Sequence, residues 1–218
     1  MTAEAASRKT RDAERSQSAI LAAAEQLFAQ HGFEETSLGD IGDAADVSRG
    51  TPSYFFGSKE GLYAAVLQRV FAERQRATAE AFEPLVAWSV QRSGSLEAAI
   101  RHAVEGYLGF LLARPEFVLL VQREDLSGGE HLRVAARDSR AMTEAFEALR
   151  DVAPSRGVRA FKVDDAVMLF VSLTFSPLTQ RATFLAALER DLKNRAARRR
   201  HAAFVVDQLM YLVADQSA

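Results

Sequence analysis

The chain has 218 residues, 48% apolar and 26% charged, a globular composition that excludes a disordered or fibrous protein and admits one domain with a smaller companion. With 27 Lys/Arg against 29 Asp/Glu the formal charge is −2, so a broadly basic nucleic-acid binder is excluded and any DNA surface must be a local patch. The absence of cysteine excludes disulfide frameworks, thiolate metal sites and cysteine nucleophiles.

Residues 1–76 remain acidic, with nine Lys/Arg against eleven Asp/Glu. The first residues carry charges with no apolar run behind them, and no window approaches the ~18 apolar residues of a membrane span. A cytoplasmic protein without a membrane segment is expected.

Alternating strand-like runs are absent, while apolar residues recur at helical spacing almost throughout, which predicts an all-α fold. Ile20, Leu21, Ala24, Leu27 and Phe28 form one face of a first helix over 16–31, stopped by Gly32. Ahead of it, Arg8, Lys9, Arg11 and Arg15 read as a mobile basic arm outside the core site. Ser37 with Asp40 makes a capping-box start for a second helix of about two turns, with Leu38, Ile41 and Ala45 facing inward and Gly39 and Gly42 softening it. Ser48 then caps a third short helix that ends in Tyr54-Phe55-Phe56 before Gly57. Ser58 opens a fourth, with Leu62, Val66 and Val70 every four residues, running to Glu80 or beyond before Pro84.

The second half starts near Ser95 with the stripe Ile100, Val104, Tyr107, Leu108, Leu111 and Leu112, closed by Arg114-Pro115. A short helix runs through Leu126 to the loop Ser127-Gly128-Gly129, and Leu132, Ala135, Met142, Phe146 and Leu149 keep helical spacing up to Pro154 and Gly157. Two long helices finish the chain, one over 163–188 with a kink or break at Pro177, the other over 195–213. The basic run Lys193, Arg195, Arg198, Arg199 and Arg200 reads as a solvated face.

Two short helices joined by a tight turn and packed on a third form a helix-turn-helix arrangement, whose second short helix enters the major groove. Ser48, Arg49, Gly50 and Thr51 put small groups and one long donor at the start of that helix, where base edges and phosphates are met. At the start of the fourth helix, the charge of Lys59 can reach a backbone phosphate.

Gly32-Phe33, Thr36-Ser37, Ile41, Ala44 or Ala45, Val47-Ser48, Gly50-Thr51, Phe56, Ser58-Lys59-Glu60 and Leu62 together closely resemble the N-terminal pattern of the TetR family of transcriptional regulators. The resemblance implies that Arg49, Gly50, Thr51 and Ser53 face base edges, while Ser37, Tyr54 and Lys59 contact the DNA backbone. Pro52-Ser53 departs from the family, which commonly has Leu or Ile followed by Tyr, and Tyr54 one place later can take over the phosphate contact. Phe55 and Phe56 are expected in the core.

The expected architecture is therefore a helix-turn-helix domain over residues 1–57 and a regulatory and dimerisation domain over 58–218, joined by the fourth helix. The expected function is that of a homodimeric repressor, released from a palindromic operator on double-stranded DNA by an apolar or amphipathic small molecule. Trp88, Tyr107, Phe110, Phe117, Phe146 and Phe175 are the candidate lining of the effector cavity, with His102, Gln122 and Arg123 as polar anchors. Phe170, Phe204, Val205, Leu209 and Leu212 are the candidate dimer contacts, pairing the last two helices of each copy as a four-helix unit.

The histidines His31, His102, His131 and His201 lie far apart without metal-ligand spacing, and the chain holds no GxSxG, SxxK or GxxxxGK[ST] motif. No metal, no cofactor and no catalytic residue is expected. The other class the sequence admits is a helical enzyme or a lipid- or small-molecule-binding protein that does not bind DNA.

Overall fold

The computed structural model describes residues 3–91, 94–132, 140–152 and 158–214, with side chains from Thr10 onward. The helices are α1 (Ala3–Glu35), α2 (Leu38–Ala44), α3 (Thr51–Phe56), α4 (Lys59–Gln91), α5 (Leu96–Ala113), α6 (Pro115–Leu126), α7 (Arg140–Asp151), α8 (Val163–Thr179) and α9 (Arg195–Val213). A π-helical turn, Arg181–Leu185, follows α8. Among the described residues there is no strand, and one isolated bridge joins Val158 to Ala214. The chain divides into two compact units, Met1–Phe71 with Leu119–Ala135 and Ala72–Val118 with Ala136–Ala218.

In the first unit Ile20, Ala24 and Phe28 of α1, Ile41 of α2, and Leu62 and Val66 of α4 are wholly buried, as their spacing requires. At Gly32 the helical path of α1 is interrupted, with φ 85° and ψ 175°, a conformation that favours glycine. The carbonyls orphaned there find donors from three side chains. Arg123 donates through Nε to Ala29 at 2.8 Å and through Nη2 to Gln30. Lys59 Nζ donates to Phe33 at 2.9 Å and Glu34 at 3.3 Å, with its charge 4.4 Å from the centre of the Phe33 ring. The Thr36 hydroxyl donates to Gly32 at 2.8 Å. Two cations at the C-terminal end of a helix also oppose the negative pole of its dipole.

Three expectations for the first four helices are corrected. The first helix begins at Ala3, not near Ser16, so the segment read as a mobile arm is helical; its alanines and long charged residues are good helix formers. Helix α3 is capped by Gly50, not by Ser48, whose hydroxyl instead lies 2.7 Å from that of Thr51. Pro84 does not end α4, which runs on to Gln91, because a single proline costs one helical hydrogen bond while Phe82 and Leu85 beside it are buried.

The second unit rests on longer apolar faces. Ile100, Val104, Tyr107, Leu108 and Leu111 of α5, Met142, Phe146 and Leu149 of α7, and Phe170 and Thr174 of α8 are buried. From α9, Val205, Val206, Leu209 and Val213 join them, and α5 packs on both α8 and α9. Pro177 lies inside α8 and has no N–H to give the Leu173 carbonyl, and His201 Nε2 of α9 donates to that carbonyl at 2.8 Å. The expected helix over 163–188 is thus α8 followed by the π-helical turn. Ala135, Pro154 and Gly157, named in the sequence reading, lie outside the described residues.

Candidate nucleic-acid interface

Helices α2 and α3 are too short to persist alone and depend on their surroundings. At α2 the Ser37 hydroxyl accepts from the Asp40 backbone N–H at 3.1 Å, and Asp40 Oδ2 accepts from the Ser37 N–H at 3.1 Å and from its hydroxyl at 2.6 Å, a complete capping box. These bonds from Ser37 hold the Asp40 carboxyl below its usual pKa. Gly42 is the close approach of the turn: a Cβ there would stand 3.1 Å from Arg49 Cα and 3.3 Å from the Ser48 carbonyl. The turn closes with the Val47 N–H donating to Gly42 at 3.0 Å, which places the start of α3 directly against α2.

Ser37, Ser48, Arg49, Gly50, Ser53 and Tyr54 are exposed and Thr51 is half-buried. Tyr54 is 83% exposed, so its ring is presented to solvent from α3, whereas Phe55 and Phe56 are only half-buried and do not close the core as fully as expected. Pro52 is the residue of α3 that is buried, which gives the departure from the family pattern a packing role. Arg49 is held by Asp43 of α2: Nε donates to Oδ1 at 3.3 Å and Nη2 to Oδ2 at 2.9 Å, and the bonds and charge of Asp43 raise the guanidinium pKa. The sequence reading missed Asp43, although an acid six residues before the arginine and across a tight turn was available as a signal. Lys59 is less exposed than expected for a phosphate ligand, because two of its N–H groups go to the end of α1.

The expected cavity residues fall in different places. Tyr107, Phe110, Phe117, Phe146 and Phe175 belong to one chain of ring contacts in the second unit, completed by Phe82 and Phe170, with successive centroids 5.0 to 6.4 Å apart. Burial raises the Tyr107 phenol above its ordinary pKa, against the opposing pull of Arg74 beside it. Trp88 is half-buried with its indole N–H donating to Gly94 at 3.2 Å, and His102 is exposed on α5. Gln122 and Arg123 belong to the first unit, and Arg123 is engaged by the α1 carbonyls, so it is corrected from a cavity anchor to a helix cap. Sequence spacing could not show this, since the partners are about ninety residues apart.

Of the expected dimer contacts, Phe170, Val205 and Leu209 are fully buried within their own unit. They are core residues, because the inward faces of α8 and α9 are the ones their strongest apolar spacing marks. Phe204 is 49% exposed and Leu212 half-buried. The exposed large apolar side chains on these helices are instead Met168, Val171, Phe204 and Tyr211, with Phe184 and Leu188 exposed in the segment between them. A groove of about 450 Å³ is lined by Leu173, Phe184, Leu188, His201 and Phe204. Among the described residues, no cluster of three or more His, Cys, Asp or Glu is arranged to hold a metal, and no helix is long and apolar enough to cross a membrane.

Residues 20–66 match the family described as bacterial regulatory proteins, tetR family, and residues 97–209 match the tetracyclin repressor-like C-terminal domain. The chain is 27% identical over 205 residues to the HTH-type transcriptional repressor NicS of Pseudomonas putida, covering 91% of this chain and 92% of that one. Over 72 residues it is 43% identical to the HTH-type transcriptional regulator RutR of Escherichia coli, 32% of this chain and 34% of that protein. In fold it is similar to a TetR family transcription regulator from Marinobacter aquaeolei, with a TM-score of 0.67 at 21% identity over 95% of this chain and all of that one.

Proposed function

The chain belongs to the TetR family and is a DNA-binding transcriptional regulator, not an enzyme, and on that premise we propose that it is a homodimeric repressor released from a palindromic operator by a small-molecule effector. The observation that carries the DNA-reading part is the exposed edge of α2 and α3, with Ser48 and Arg49 on the turn that closes against Gly42 and Ser53 and Tyr54 on α3. Arg49 and Ser53 address base edges with Gly50 and Thr51 allowing close approach, and Ser37 and Tyr54 address phosphates. Lys59 supports the site by tying the start of α4 to the end of α1, and its charge adds attraction for a nearby phosphate.

One short reading helix contacts too few base pairs for selectivity, so two copies act together, their reading helices about 34 to 36 Å apart or a multiple of that. We place the pairing surface on the exposed apolar side chains of α8 and α9, Met168, Val171, Phe204 and Tyr211. The effector binds in the second unit beside the aromatic chain through Tyr107, Phe110, Phe117 and Phe175. Those rings favour an apolar or amphipathic molecule. It releases DNA to the extent that it prefers the conformation with the wrong half-site separation.

Compounds found by thermal shift provide the test. Ligands of the regulatory site should both raise the melting temperature and release operator DNA, with bound operator weakening the ligand in return. If every stabilising compound leaves operator affinity unchanged, effector control is wrong while DNA recognition stands.

A further inference from the structure

An arginine on an exposed helix edge serves DNA in two ways. As a loose cation it follows phosphates and adds affinity without sequence information, and as an oriented fork it reads the two acceptors of guanine. The surroundings of Arg49 decide between these. Its side chain is 77% exposed and would otherwise sample many rotamers, but Asp43, itself exposed, takes Nε at 3.3 Å and Nη2 at 2.9 Å. That contact occupies the side edge of the guanidinium and biases its plane. The terminal edge, with one N–H from each Nη, is left to face a partner that offers two acceptors in that plane, as guanine O6 and N7 do.

The position of Asp43 is itself fixed. It lies near the C-terminal end of α2, one residue after Gly42, where the backbone of Arg49 comes closest, so the carboxylate and the guanidinium meet across the tightest point of the turn. Asp40, the neighbouring acid on the same helix, is engaged by Ser37 in the capping box, which leaves Asp43 as the α2 carboxylate that binds the arginine. A carboxylate on a DNA-facing edge costs affinity for every phosphate nearby. Its presence is understandable if it gives selectivity in return.

We propose that Asp43 is a positioning residue that holds Arg49 as a reader of guanine and keeps it from acting as a general phosphate contact, a role that rests on the DNA-reading surface proposed above. The two effects of Asp43 on DNA run in opposite directions. It lowers affinity for DNA of any sequence through its charge and raises the preference for guanine at the base pair met by Arg49.

The test uses the full-length chain and four proteins: wild type, Asp43→Asn, Arg49→Ala and the double variant. An operator is first selected by the wild type from a random duplex library, and affinities are measured for it, for single-base replacements at each guanine, and for random duplex. Asp43→Asn should bind random DNA more tightly with a steeper salt dependence, and its discrimination at one guanine should fall by about tenfold, within the range of a two-pronged contact. In the Arg49→Ala background the same change should leave base discrimination unaltered. A general loss of folding would lower operator and random binding together, so the expected opposite movement cannot come from it. Equal gains on operator and random DNA, with guanine discrimination intact, would overturn the proposal and leave Asp43 as a bulk negative charge. A wild type that selects no sequence would instead remove the DNA-reading surface itself.

Discussion

The helix-turn-helix unit and the larger helical unit use the same secondary structure under different constraints. Helices α2 and α3 have 7 and 6 residues, so they borrow their stability from side chains of one permitted type. A hydroxyl and a carboxylate make the capping box, a missing Cβ admits the backbone of Arg49, and an ammonium ties Lys59 to α1. The 18 residues of α5 and 19 of α9 are held by apolar faces, where one aliphatic side chain can replace another with modest loss. Residue identity is therefore constrained position by position around α2 and its turn, and as an apolar pattern along α5 and α9.

The largest effect should come from exchanging core and surface on α9. Leu209→Ala removes a fully buried side chain and should cost about 2 to 5 kcal/mol by chemical denaturation. Phe204→Asp, on the exposed side of the same helix, should leave the helical content intact and convert dimer to monomer in sedimentation experiments. A monomeric, well-folded Leu209→Ala protein, or a Phe204→Asp protein that stays dimeric, would reverse the assignment of the two faces.

A smaller loss is expected from Gly42→Ala, about 0 to 2 kcal/mol, because the new methyl presses on the backbone of Ser48 and Arg49 while alanine favours the helix by up to about 1 kcal/mol. Its effect on operator binding should exceed its effect on stability, since the displaced atoms belong to Ser48 and Arg49. For Lys59→Ala we expect about 1 to 3 kcal/mol of destabilisation, from the carbonyls of Phe33 and Glu34 left without their donor. Binding to operator and to random DNA should then fall by the same factor. A stable variant with a reduced salt slope would return Lys59 to a purely phosphate-binding role.

The contrast also explains what could be read in advance. The all-α class, the break at Gly32, the Ser37 box and the buried stripe of α5 follow from short-range rules, and each stands in the structure. What escaped the sequence depends on contacts between distant segments. Arg123 meets α1 through a pairing about ninety residues long, and Asp43 meets Arg49 across a turn whose closeness depends on Gly42. On α8 and α9 both faces carry apolar residues, so periodicity marked Phe170, Val205 and Leu209 without saying that they point into their own core.

The smallest effect is a pH dependence of the short-helix cap. Asp40 has its pKa lowered in the folded chain, chiefly by the Ser37 hydroxyl, so its contribution is complete above the ordinary carboxylate value of about 3.9 and is lost as pH falls through the lower folded value. The difference in melting temperature between the wild type and Asp40→Asn should be constant near neutrality and shrink only below about pH 4. A difference that already shrinks between pH 7 and 5 would assign the cap to another group.

The most direct test of the account is selection of binding sites from a random duplex library by the full-length protein, followed by competition titration of the wild type and Arg49→Ala. We expect a two-fold symmetric sequence with half-sites about one helical turn apart or a multiple, bound by two chains, and a loss of base preference at one guanine in each half-site for the variant. Enrichment of no sequence, or of one whose preference survives Arg49→Ala at every position, would contradict the claim that the exposed edge of α2 and α3 reads DNA through Arg49.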